Sequence, residues 1–198
     1  MMDVRSFDSG RILLYDFFSG LFLHDLLVGR KELLEKQLEI LLQSPLEEGL
    51  EIPLGQMLSM VQKEGMEPIV AEYTELFVLP FTHRRIHLLL SHYKEGYVGG
   101  QALLDIRQRL RDFPIRMNEE LCKESEEHFG FLLVLMRFLI ENHGQVPLNS
   151  EVKVFKEFIA PYGESITQEL ISHPQARFYA SAGKVLASFL GFERNLLK

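Results

Sequence analysis

The stretch Cys122-Lys-Glu-Ser-Glu-Glu-His128-Phe-Gly-Phe-Leu-Leu-Val-Leu-Met-Arg-Phe-Leu-Ile-Glu-Asn-His143 decides the fold. Phe129, Leu132, Leu133, Met136 and Ile140 recur at steps of three and four, and Leu135, Phe138 and Leu139 fill a second side. A helix apolar over this much of its circumference belongs inside a bundle, with neighbours on most faces. Its opening is polar. Ser125 is placed to cap it, Glu126 and Glu127 suit the positive end of its dipole, and His128 falls in the first turn. Glu124 and Glu127 then flank His128 as one polar mouth on a buried helix. A well-capped core helix explains the same pattern without any ligand.

Outward from this helix the chain reads as a succession of helices. The apolar set Ile12, Leu13, Leu14, Phe17, Phe18, Leu21 and Phe22 predicts a largely buried helix over 10–27. One-faced or short helices are predicted over 30–42, 54–64 and 68–80, the last with Pro68 in its first turn. Residues 81–100, with three histidines and three glycines, read as a long loop, poorly packed until a ligand binds. Further helices are expected over 101–113, 151–159, 164–172 and 175–190, with breaks at Pro161 and at His173-Pro174. Asp105 and Arg109 have the spacing of a surface pair. Residues 144–150, containing Val146-Pro147, read as a hinge loop. No strand pattern or internal repeat appears. The expectation is an all-α bundle of about eight to nine helices forming one domain over 1–198.

Composition narrows the function. A net charge of -7 argues against nucleic acid, which needs a cationic footprint, and leaves room for a basic partner. A single cysteine, Cys122, excludes an internal disulfide, and its acidic neighbours disfavour a thiolate. The first residues lack a basic segment followed by an apolar run, and no stretch approaches the roughly 20 apolar residues of a membrane span. A cytoplasmic location is expected.

Enzymatic constellations fail on spacing. The residue three before His128 is Ser125, so no Glu-x-x-His pair supports a di-iron bundle. Gly183-Lys184 is followed by Val185 and lacks the first glycine of a phosphate loop, and no Gly-x-Ser-x-Gly elbow exists. His83, His87 and His92 lack the companion ligands of a metal site. No cofactor, metal or catalytic residue is assigned.

Two stretches point elsewhere. Glu72-Tyr73-Thr-Glu-Leu76-Phe77-Val-Leu-Pro80 resembles the Tyr-x-x-Leu-Phe-x-x-Pro signature of the TorD/DmsD/NarJ family. Glu124-Ser-Glu-Glu127-His128 resembles that family's Glu-Pro-x-Asp-His motif, with Ser125 for proline and Glu127 for aspartate. Leu79 stands where glycine is usual. Between them, Ser91-His-Tyr93 echoes a Glu-Ser-x-Tyr segment, and Phe178 to Leu190 is similar to the last family helix. The resemblance runs from Arg11 to Leu190. It implies an all-helical, TorD-like chaperone that binds the signal peptide or amino terminus of a molybdopterin-containing oxidoreductase precursor. Such a chaperone holds its client for cofactor insertion before export, as a monomer or homodimer. It implies a client-peptide site at Tyr73, Leu76, Phe77, Pro80, Ser91, Tyr93, Glu124, Glu127 and His128. On this reading Glu124 and Glu127 meet twin arginines, and the two motifs share one groove. An all-helical adaptor with another client, and an acid-base enzyme using Glu127 and His128, are the alternatives.

Overall fold

The structure is a computed structural model that describes residues 4–79, 84–116 and 123–198. Its helices are α1 (Val4–Phe22), α2 (His24–Leu27), α3 (Lys31–Gln43), α4 (Glu51–Glu64), α5 (Glu67–Tyr73), α6 (Leu90–Glu95), α7 (Gln101–Leu110), α8 (Phe129–Glu141), α9 (Ser150–Val154), α10 (Ala160–Ser172) and α11 (Phe178–Leu196). Two π turns, Thr74–Val78 and Phe155–Ile159, extend α5 and join α9 to α10. Among the described residues there is no strand, only an isolated antiparallel bridge between Leu89 and His128. The fold is all-α. The chain divides into two compact units that interleave in sequence: residues 1–25, 88–162 and 197–198 form the first, and 26–87 and 163–196 the second.

In the first unit α1 lies along α8. Tyr15, Phe17, Phe18, Leu21 and Phe22 of α1 are fully buried, as are Phe129, Leu132, Leu133, Met136 and Leu139 of α8. Burial of each such side chain contributes about 1.5–3 kcal/mol, enough to hold a long helix whatever its intrinsic propensity. Phe22 meets Phe129 edge-on at 5.7 Å. Gly130 makes the close approach possible, since a Cβ there would lie 2.8 Å from Leu23 Cγ. Arg137 of α8 pairs with Asp16 of α1 and, at 2.9 Å, with Glu141.

The second unit packs α4 against α3 and α11, and α11 against α5. Leu34, Leu38 and Leu41 of α3, Leu54, Met57 and Val61 of α4, and Val185, Leu186 and Phe189 of α11 supply its core. Gly183 lets α11 close on α10: an added Cβ would stand 2.9 Å from Leu170 Cβ.

Several expectations need correction. The first helix starts at Val4, with Gly10 inside it, because the buried face outweighs the roughly 1 kcal/mol cost of an interior glycine. It ends at Phe22, so His24–Leu27 is a separate turn. Pro161 does not divide two helices but sits at the second position of α10. The π turn before it bonds Ala160 N–H to Phe155 O, five residues back, and the missing proline donor falls at this change of register. Residues 84–100 are not a loosely packed loop: Ile86, Leu90 and Ser91 are completely buried, and Leu90–Glu95 is helical.

Candidate functional site

The polar opening of the central helix is built differently from its sequence reading. Leu88 to Leu90 runs antiparallel to Glu127 to Phe129, with Phe129 N–H donating to Leu88 O at 2.7 Å and Leu90 N–H to Glu127 O at 3.3 Å. This pairing carries the Glu127 side chain inward, where it is fully buried. Its Oε2 accepts from Ser91 N–H at 2.7 Å and its Oε1 from Gly99 N–H at 3.2 Å. The Ser91 hydroxyl accepts from the same Gly99 N–H at 3.0 Å. Gly99 can turn its amide inward because its φ of 79° suits glycine. Charge-assisted bonds of this kind are about twice as strong as neutral ones. Glu127 therefore pins both ends of the segment 91–99.

His128, rather than Ser125, caps α8. Its Nδ1 accepts from Gly130 N–H at 3.2 Å, and its backbone is extended. The ring is neutral with its proton on Nε2, which faces Glu124 Oε2 at 3.9 Å. Burial pushes the imidazole pKa down from 6.5 to about 4. The sign follows from proton counting. Between these two values the unfolded chain takes up a proton that the folded chain refuses, so stability is complete above pH 6.5 and falls as pH drops towards 4. The shift is worth about 3 kcal/mol at most. Urea unfolding at pH 7 and pH 4 should show a larger loss for the wild type than for His128→Asn, a variant that keeps a capping acceptor. Equal losses would show that His128 is protonated in the fold.

The residues around this opening differ in exposure. Tyr93 is partly exposed and its ring lies 6.4 Å from that of Tyr162. Glu124 is 42% exposed. Glu126 holds Arg107 through two bonds of 3.0 Å. Asp105 and Arg109 do not pair with each other: Asp105 binds Lys94 at 2.8 Å, and Arg109 takes both oxygens of Glu157 at 3.0 Å. Long side chains found partners on other elements that spacing within one helix does not reveal.

The other motif lies in the second unit. Tyr73, Leu76 and Phe77 are buried, and Tyr73 and Phe77 pack with Tyr179 at ring distances of 4.9, 5.1 and 6.2 Å. The π turn that carries Leu76 and Phe77 begins at Thr74, whose hydroxyl bonds Val70 O at 2.9 Å and loosens the helical ladder. Burial raises the Tyr179 phenol well above its usual range. Pro80, His83 and Cys122 lie outside the described residues. Sequence reasoning gave no role to Glu72, which heads the same stretch. Its carboxylate accepts from the N–H groups of Arg177, Phe178 and Tyr179 at 2.8, 3.1 and 2.8 Å. It thereby satisfies the open amino end of α11, a capping role taken from far away in sequence. Among the described residues no group of three or more His, Cys, Asp or Glu is disposed to hold a metal.

A polar hub at the start of a buried helix and an aromatic cluster beside a distant cap are therefore tied to the two motif stretches. A protein-family model described as nitrate reductase delta subunit matches residues 43–168, which include both stretches. The chain belongs to the nitrate reductase delta subunit family. This family is part of the TorD/NarJ group of redox enzyme maturation chaperones. Membership makes the chain a relative of molybdoenzyme maturation factors, a group not known for catalysis, and points to a nitrate reductase-type subunit as the class of partner. The matched region includes Glu72 but ends before α11, the helix that Glu72 caps. No curated protein matches the chain. No helix among the described residues is long and apolar enough to cross a membrane.

Proposed function

We propose that the protein is a cytoplasmic chaperone for the catalytic subunit of a molybdenum-cofactor oxidoreductase. It binds the twin-arginine signal region or amino terminus of that subunit and holds it for cofactor insertion and assembly before export. The observation that carries this reading is the family match over residues 43–168. The whole chain acts as one chaperone domain. Of the motif residues, Tyr93 and Glu124 meet the client directly, a reading supported by their exposure. Ser91, Glu127 and His128 hold the frame behind them, and Tyr73, Leu76 and Phe77 support the second stretch. The burial of the frame residues supports this division.

An acid-base enzyme using Glu127 and His128 is disfavoured by the same bonds. Glu127 is occupied by backbone donors, and the Nδ1 of His128 is occupied as a cap. An adaptor for another client remains the second reading. Affinity capture with the full chain in its own cell extract separates them. The expected capture is an intact molybdenum oxidoreductase subunit lacking its cofactor, lost when the amino terminus of that subunit is deleted. A client set without any such subunit would replace the proposal with the adaptor.

A further inference from the structure

Glu127 is fully buried against backbone donors, so of the two motif glutamates Glu124 alone is exposed to a client, and a pair of arginines needs further carboxylates. The first unit offers a cleft of about 530 Å³ between α6, α7 and the π turn Phe155–Ile159. Its walls carry Asp105, Asp112 and Glu157, whose side chains are 37%, 50% and 43% exposed, and its floor includes Phe158 and Tyr162. The π turn places Glu157 and Phe158 at the cleft together, and such turns recur at functional sites. Tyr93, from the motif stretch, adjoins it through its contact with Tyr162.

The cleft already grips one guanidinium. Arg109 Nη2 lies 3.0 Å from each oxygen of Glu157, and its Nη1 lies 3.2 Å from Asp112. The buried Nε of Arg109 has no acceptor, so the internal arginine is held by its terminal nitrogens alone. Lys94 holds Asp105 in the same cleft. Exposed apolar side chains stand in the same segment of chain: Leu104 on α7 is 56% exposed, and Tyr97 and Val98, just before α7, are 61% and 55% exposed. On α7 Leu104 is one turn from the cleft residue Gln108, a neighbouring position on the helix surface.

We propose that this cleft docks the arginine pair of the client, with Arg109 and Lys94 as internal occupants that the client displaces and Leu104 taking the apolar residues that follow. The proposal rests on the chaperone reading above. A guanidinium is favoured over an ammonium because Glu157 and Asp112 are spaced to take its two terminal nitrogens, one carboxylate each, as they take those of Arg109. The internal occupants give the idea an unusual sign. Removing Arg109 or Lys94 leaves fewer cations in the cleft and frees carboxylates, so a cationic peptide should bind more tightly, whereas a structural role alone would weaken binding or leave it unchanged.

The test is calorimetric titration of the full chain with a synthetic peptide of two adjacent arginines followed by an apolar stretch. A control peptide carries glutamines in place of the arginines. Glu157→Gln and Asp105→Asn should each weaken binding about threefold, and the double variant about tenfold, with a reduced salt dependence. Arg109→Gln and Lys94→Gln should each tighten it about threefold. Thermal melts check folding, and Lys94→Gln, which alters only an exposed pair, carries the sign test should Arg109→Gln unfold. Folded variants that all bind like the wild type, or a weaker Lys94→Gln complex, would overturn the cleft while leaving the chaperone reading intact. A wild-type chain that binds neither peptide would overturn the cleft, and the chaperone reading falls with it only where the capture experiment also yields no molybdenum oxidoreductase subunit.

Discussion

Glu72→Ala is expected to be the most damaging single substitution in the second unit, at about 3–5 kcal/mol of stability. Three consecutive backbone N–H groups at the start of α11 converge on this one carboxylate, which is only 8% exposed. Truncation leaves Phe178 and Tyr179 N–H buried without an acceptor, and each orphan of this kind costs about 1–3 kcal/mol. The negative charge at the positive end of α11 is lost as well. Glu72→Gln keeps one good acceptor but turns an NH2 group towards backbone donors, so it should fall between the wild type and the alanine variant. Chemical denaturation provides the measurement. A loss below about 1 kcal/mol for Glu72→Ala would mean that water replaces the cap and that the bonds are incidental.

Glu127→Ala should follow closely, at about 2–4 kcal/mol, with its damage concentrated in residues 91–99. Both carboxylate oxygens accept from backbone donors, Ser91 and Gly99, and the Gly99 N–H has the Ser91 hydroxyl as a second acceptor. Hydrogen exchange should therefore quicken at the Ser91 amide more than at Gly99, which keeps the hydroxyl as an acceptor. The amides of α11 should keep their wild-type rates. A variant with a wild-type denaturation midpoint and unchanged exchange at Ser91 would show that the segment is held by its apolar contacts alone. A loss of client binding in this variant would report on that frame and not on a direct contact with arginine.

Much of the fold was legible because its dominant signal is local. α8 declares itself by apolar residues on every side, and α1 by Phe17, Phe18, Leu21 and Phe22 at helical spacing. The helix α6 did not. Its sequence, Leu90-Ser-His-Tyr-Lys-Glu95, has little apolar content, and glycines follow it. What orders it is an acceptor 36 residues further on. The same holds for Glu72, whose partners lie more than a hundred residues away. Capping rules search the few residues around a helix start, so they nominated Ser125 for α8 and nothing for α11. The division into two units was equally hidden, because each is assembled from separated stretches and no linker composition marks a boundary. The motif stretches were found through resemblance, yet resemblance gave no indication that Glu127 faces inward. That depends on the Leu88–Leu90 pairing, which periodicity cannot see.

The pairing of α1 with α8 has a bearing on how this protein is made. Phe22 leaves the ribosome more than a hundred residues ahead of Phe129, the ring it meets edge-on. At a synthesis rate of about 5–20 residues per second, the apolar face of α1 waits roughly 5–20 s for its partner. During that interval Phe17, Phe18, Leu21 and Phe22 have no native cover from α8, and closing so long a loop delays the contact further. The chain thus begins life with an amino-terminal helix whose apolar face needs cover until α8 is made.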